Sequence, residues 1–260
     1  MPDTGQTQAS DHRGFAAQPW EVKFPYPGLR AFERHESRIF FGRRQHENDI
    51  LDRLAASHLV AVVGTSGCGK SSLIRAGVVP ALESGRYYQA GIHWATITFR
   101  PGSTPLWSFA EAMLHHLAGK SPTLDQILET SVLLSSGPEG IRNFLHAHTF
   151  PDHHNLLIVV DQFEELFRYE QPSAEQEAKD FVGVLLTVFA GKLHNVYIII
   201  TMRTDHLGDC TRFEGLAEAI NLSFPSISLH ASTAKGDVRP SRTLRASSRG
   251  ASSLISASGS

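Results

Sequence analysis

The sequence predicts a three-layer α/β/α sandwich around a mostly parallel sheet, and three observations predict it. Short apolar runs rich in Val, Ile and Leu recur at Leu59–Val63, Leu156–Val160 and Val196–Ile200, without the alternation of a half-exposed strand. Strands buried on both faces read this way, and they occur where helices cover both sides of a sheet. Helix-like segments lie between the runs, so strands and helices alternate along the chain as they do in parallel sheets. The first run leads into VVGTSGCGKSSL at 62–73, which sets three glycines, a lysine and three serines where a strand should turn into a helix. Burial alone favours neither glycine nor lysine at such a point, so this end of the sheet is expected to face something anionic.

Leu59, Val60, Ala61, Val62 and Val63 form the first predicted strand. Lys70 to about Leu82 forms the helix behind the glycine loop, with Leu73, Ile74 and Val78 on one side. Ile92–Phe99 predicts a second strand ended by Arg100-Pro101-Gly102, and Pro105–Leu117 a helix with proline just inside its start. Two more helices are predicted over Thr123–Leu134 and Pro138–Ala147, separated by Ser135-Ser136-Gly137. Leu156–Val160 is the third strand, Phe181–Phe189 the apolar part of a helix, and Val196–Ile200 the fourth strand, followed by TMRTD. Ligands of such sheets sit at the carboxyl ends of the strands.

Gly64, Gly69, Lys70 and Ser71 fit G-x-x-x-x-G-K-[ST] in the strand-loop-helix context that this pattern requires. Its glycines let the main chain wrap closely, so that backbone N–H groups and the helix N-terminus point at phosphate oxygens. Gly64, Thr65, Ser66, Gly67, Cys68, Gly69, Lys70, Ser71 and Ser72 are therefore candidate ATP- or ADP-binding residues. Lys70 is expected to reach the β- and γ-phosphates, and Ser71 Oγ to ligate Mg²⁺. Asp161 directly follows the third strand, where a carboxylate would orient the Mg²⁺ water shell. Glu164 and Glu165 stand close enough behind it for one to polarise an attacking water, although the first turn of a helix also favours glutamates. Arg203, just after the fourth strand, is a candidate γ-phosphate sensor, the plainer reading being a surface ion pair with Asp205.

Composition bounds the remaining classes. The 260 residues are 41% hydrophobic and 19% charged with a net charge of −2, which suffices for one large core and supplies no basic field to draw in nucleic acid. Two cysteines, Cys68 and Cys210, argue against a disulfide framework and for a reducing compartment. The first 22 residues lack a signal-type apolar stretch and no run approaches membrane-spanning length, so a cytoplasmic protein without a membrane partner is expected. Histidine-rich HAHTFPDHH at 146–154 has no zinc-site spacing and reads as a polar connection. A transporter-type ATPase of the ABC class is set aside. LSSGP at 134–138 carries Pro138 where that class has glutamine, and QFEEL follows Asp161 in place of its glutamate and proline.

Five collinear blocks carry a family resemblance: PYPGLRAFERHESRIFFGR at 25–43, AVVGTSGCGKSSLIRAGVVPAL at 61–82, TFRPG at 98–102, LLIVVDQFEELF at 156–167 and IIITMRTDHLGDCTRFEGLAEAIN at 198–221. They resemble the first subgroup of the novel STAND NTPases, bacterial relatives of the AAA+ and apoptotic-ATPase signalling proteins. The resemblance implies a P-loop NTPase domain over 24–221 with a RecA/AAA+-like sheet, in which the sensor strand lies between the strands of the phosphate loop and the Mg²⁺ aspartate. It also implies that Gly42 and Arg43 help form the adenine pocket, although Arg44 stands where the family often has an acidic residue. Family members resemble switches, held closed by ADP and opened by ATP to oligomerise or release an effector, with slow hydrolysis as the reset. Further copies of the chain in a homo-oligomer, or effector and sensor domains of a longer parent protein, are the partners implied. A nucleotide-binding module or inert fragment without useful hydrolysis is the alternative. Residues 1–23 are expected to be flexible. The resemblance stops after Asn221, so the Ser/Arg-rich stretch 222–260 is expected to lie outside the working domain, as a truncation or shifted frame, or as a natural tail in which Phe224, Ile227 and Leu229 supply a short edge strand.

Overall fold

A computed structural model describes residue 28 and residues 30–86, 91–119, 121–168, 172–222 and 227–229. Residues 1–27 and most of 222–260, on which the expected flexible segment and tail fall, lie outside the described residues, as does Phe224.

The sheet has five strands: β1 (Leu59–Gly64), β2 (Trp94–Phe99), β3 (Asn155–Val160), β4 (Val196–Arg203) and β5 (Ile227–Leu229). They lie in the order β2-β3-β4-β1-β5, and every pairing is parallel. β1, β3 and β4 are buried almost throughout, as their unbroken apolar runs require of inner strands. β2 lies at one edge, and its threonines show why: Thr98 is exposed while its neighbours Ile97 and Phe99 are buried. It starts two residues later than its apolar composition suggests, since Ile92 is exposed. β5 is an edge strand of three residues, the short edge strand that Ile227 and Leu229 offered as the alternative reading of the tail, and pairs with Val62–Gly64 of β1.

Successive residues of a strand point to opposite faces, so each inner strand feeds two cores. Leu59, Ala61, Val63, Ile158, Val160, Ile198 and Ile200 pack on one face with α4 (Pro105–Ala118), α5 (Leu124–Ser135), α6 (Pro138–Ala147) and α7 (Pro172–Thr187). Val60, Val62, Leu157, Val159 and Ile199 pack on the other with α1 (Arg44–Ser57) and the helix behind the glycine loop. Phe109, Phe144, Phe163 and Phe181 are fully buried on the first face, where truncating one to alanine typically costs about 3–5 kcal/mol. A short helix, α8 (Leu216–Leu222), closes the described chain before β5. No helix among the described residues is long and apolar enough to cross a membrane.

The helix behind the glycine loop runs from Lys70 to Glu83 in three pieces: α2 (Lys70–Ser72), a π-helical stretch Leu73–Val78, and α3 (Val79–Glu83). Gly77 in its middle lets α1 come close, because a Cβ there would lie 3.0 Å from Cγ of the buried Glu47. Arg86 neutralises Glu47 at 2.6 Å. α1 itself is an element the sequence pattern does not announce, since its apolar stripe is only Ile50, Leu51 and Leu54. Its C-terminus is closed by His58 in the left-handed region, whose N–H donates to Leu54 O.

Candidate functional site

The loop between β1 and α2 owes its shape to two glycines with positive φ, Gly67 at 73° and Gly69 at 92°, the latter capping the helix. No Cβ is tolerated at those angles without strain, although there is open space around both. Inside the turn Lys70 folds over the loop, its Nζ donating to Gly64 O at 2.9 Å and Thr65 O at 3.0 Å. Cys68 is buried under the same turn. Arg43 braces the loop from outside, donating from Nη2 to Cys68 O at 3.1 Å.

Parallel strands in register bring the other chemistry to this edge. β3 ends at Val160 beside Ile200 of β4, so Asp161 emerges next to Thr201. Asp161 is 2% exposed and accepts three donors. Ser71 Oγ reaches Oδ1 at 2.9 Å, Thr201 Oγ1 reaches Oδ1 at 2.6 Å, and Arg75 Nη2 reaches Oδ2 at 3.2 Å. Thr201 in turn accepts from the N–H of Gln162 at 3.1 Å, which holds that non-glycine residue at a φ of 58°.

These groups open into one cleft of about 640 Å³, within the usual range of small-molecule sites. From the sequence-derived set, Ser66, Gly67, Gly69, Lys70, Ser71, Ser72, Asp161, Glu164 and Arg203 line it. Gly42 does not: it lines a different hollow with Phe40, Phe41 and Arg44. Residues that the motifs do not single out also face the cleft, among them Glu33, Arg75, Arg100, Gln162 and Thr201.

The two neighbouring glutamates are separated by the 3₁₀-helical turn Phe163–Arg168. Glu164 lines the cleft, is 5% exposed, and leaves its Oε2 without a hydrogen-bond partner among the described residues. Glu165 turns toward the end of β2 and accepts from the Gly102 N–H at 3.0 Å. Arg203 is the last residue of β4 and is forked onto Asp205 at 3.1 and 2.6 Å while still lining the cleft. That hydrogen bond raises the Arg203 pKa and lowers that of Asp205, each stabilising the other's charge.

Chemically, the edge offers an ammonium and several guanidinium groups to an anion. Ser71 Oγ and the Asp161 carboxylate add hard oxygens within 2.9 Å of each other, a donor set that fits Mg²⁺.

Comparison with known families finds that the model of novel STAND NTPase 1 (nSTAND1) matches residues 25–235. No curated protein matches the chain significantly. Among solved structures, the ORC2 protein of Aeropyrum pernix, in ADPNP-ADP complexes, is similar over 74% of this chain and 48% of its own, at 14% identity and a TM-score of 0.48. A Walker-type ATPase of Pyrococcus abyssi is similar over 67% and 48%, at 16% identity and a TM-score of 0.38. The chain thus spans about half the length of these two structures.

Proposed function

The chain belongs to the novel STAND NTPase 1 family and is a P-loop NTPase module, and from that premise we propose that it binds ATP and ADP with Mg²⁺, hydrolyses ATP slowly, and serves as the nucleotide switch of a bacterial signalling protein. One observation carries this reading: Ser71 and Asp161, ninety positions apart, meet at 2.9 Å beside Lys70. Backbone N–H groups of the glycine loop bind the phosphates, and Lys70 exchanges its carbonyl partners for β- and γ-phosphate oxygens. Ser71 and Asp161 would hold Mg²⁺, which when bound supplies charge neutralisation on the phosphate oxygens. Glu164, which lines the cleft and leaves its buried Oε2 without a partner among the described residues, orients the attacking water. Arg203 leaves Asp205 for the γ-phosphate and so distinguishes ATP from ADP. Gly42 and Arg43 support the adenine side through the contact of Arg43 with the loop.

The switch is an equilibrium between two conformations, shifted only as far as the γ-phosphate distinguishes them. Oligomerisation or effector release in the cytoplasm is the output proposed for the longer parent protein. Multiple-turnover phosphate release tests the hydrolytic part. The wild-type chain should release phosphate only with Mg²⁺, and Asp161→Asn should abolish release while ATP binding without Mg²⁺ persists. Release that survives Asp161→Asn would place the chemistry elsewhere.

A further inference from the structure

Asp161 is one of two carboxylates that share a single guanidinium. Arg75 stands four residues after Ser71, and from there its Nη2 reaches Asp161 Oδ2 at 3.2 Å while its Nη1 reaches Glu33 Oε1 at 2.8 Å. The two carboxylates differ in setting: Asp161 is buried, whereas the Glu33 side chain is 44% exposed. Glu33 belongs to a strap that lines the cleft and is tied to the same helix a second time, since the Phe32 N–H donates to Ser72 Oγ at 3.0 Å. The strap is stiffened within itself. Glu36 accepts from the Glu33 N–H at 2.8 Å and from both Nη atoms of Arg30 at 2.7 and 2.6 Å.

We propose that Arg75 is a positioning residue that couples the metal side of the site to this strap: it holds Oδ2 of Asp161 in the metal-free protein and passes wholly to Glu33 when a divalent cation claims that carboxylate. The inference rests on the reading of Ser71 and Asp161 as the Mg²⁺ side of a nucleotide site. Its physical ground is like-charge repulsion, because a guanidinium on Oδ2 puts a positive charge where the cation's own water ligands must donate. Ser71 is not in conflict in the same way, since its hydroxyl can donate to Asp161 while its oxygen lone pairs face the cation. Thr201 keeps Oδ1 in place in both states, so Arg75 is the donor free to move toward its second partner. By reciprocity, a metal that drives Arg75 onto Glu33 must tighten the strap, and a strap that holds Arg75 must favour the metal.

The test uses the full chain and a fluorescent ATP analogue titrated with MgCl₂. Arg75→Ala should reach half-maximal binding at about five-fold lower Mg²⁺, because the competitor is gone. Glu33→Gln should need about three-fold more, because Arg75 is then left to Asp161 alone. Hydrogen exchange at the amides of residues 31–34 should slow when Mg²⁺ and analogue are added to the wild type, and not in Glu33→Gln. An unchanged or increased Mg²⁺ requirement in Arg75→Ala, or exchange in the strap indifferent to Mg²⁺, overturns the proposal while leaving nucleotide binding intact. A wild-type chain that binds no analogue at any Mg²⁺ concentration overturns both readings together. Should Arg75→Ala not fold, the opposite shift in Glu33→Gln decides alone.

Discussion

Ser71 donates from Oγ to Oδ1 of Asp161 across 2.9 Å, joining the first turn of one helix to the end of a strand from another part of the chain. Lys70 lies next to this bond and spends its donors on the carbonyls of Gly64 and Thr65. Those are neutral acceptors, which an anionic phosphate outcompetes. Lys70→Ala should therefore weaken ATP about ten- to a hundred-fold, the loss of a charge-assisted contact of about 1.5–3 kcal/mol. Titration calorimetry on the folded variant measures it, and an unchanged affinity would refute the phosphate role.

Glu164 and Glu165 should respond differently to the same conservative change. Glu164→Gln removes the carboxylate that faces the cleft, so turnover should fall about a hundred-fold with ATP affinity preserved. Glu165→Gln keeps an oxygen for the Gly102 N–H and should leave turnover near wild type. Phosphate release by both variants, run beside ATP binding, separates them. Equal losses would mean that the 3₁₀ turn, not one side chain, matters.

Arg203 must leave Asp205 before it can touch a phosphate. Arg203→Ala should weaken ATP about ten-fold more than ADP, whereas Asp205→Asn, which releases the guanidinium, should widen the preference for ATP. Competition binding with both nucleotides reads the ratio. A ratio untouched by either substitution leaves Arg203 as a surface ion pair.

Thr201 is 1% exposed and serves Asp161 and the Gln162 N–H at once. Thr201→Val keeps the shape and removes both bonds, which should cost about 1–3 kcal/mol of stability because two buried groups lose a partner. Urea unfolding of the nucleotide-free protein should show a lower midpoint at unchanged slope. A wild-type midpoint would mean that Asp161 finds another donor.

The strap has a pH signature of its own. The hydrogen bond from Arg30, with help from the Glu33 N–H, holds the Glu36 carboxyl at about 2. A depressed carboxylate pKa contributes stability that is present above the ordinary value and is lost as pH falls through about 2. The Arg30–Glu36 pairing within the strap should therefore persist well below pH 4, and Arg30→Ala should bring the Glu36 titration up into the usual carboxylate range. A carboxyl titration of Glu36 followed by NMR checks both.

Much of the sheet is legible in the sequence, because β1, β3 and β4 are inner strands and inner strands need continuous apolar runs. α1 is not, since Ile50, Leu51 and Leu54 make too narrow a stripe to outweigh a polar segment, and β5, too short for any period, shows only as the apolar pair Ile227 and Leu229. At the site, the meeting of the glycine loop and Asp161 at one cleft is legible because the motif sets particular residues at fixed spacing at the ends of two strands. The different settings of Glu164 and Glu165 are not, as they depend on the pitch of a 3₁₀ turn. Arg75 leaves a faint signal, four residues behind Ser71, but its partners Glu33 and Asp161 come from distant segments that only the fold brings together.

The strand order also sets a sequence in time. β4 lies between β1 and β3, so the glycine loop and the aspartate, both made before it, are set one strand apart only when the last of these strands arrives. A nascent chain that has left the ribosome only as far as residue 190 carries every glycine of the loop and Asp161, yet lacks the strand that sets their spacing. Pairs such as Leu59 with Ile198 close very long loops, which makes this step slow compared with the local helices. The cleft between the glycine loop and Asp161 therefore takes shape only at the end of folding, with the arrival of β4.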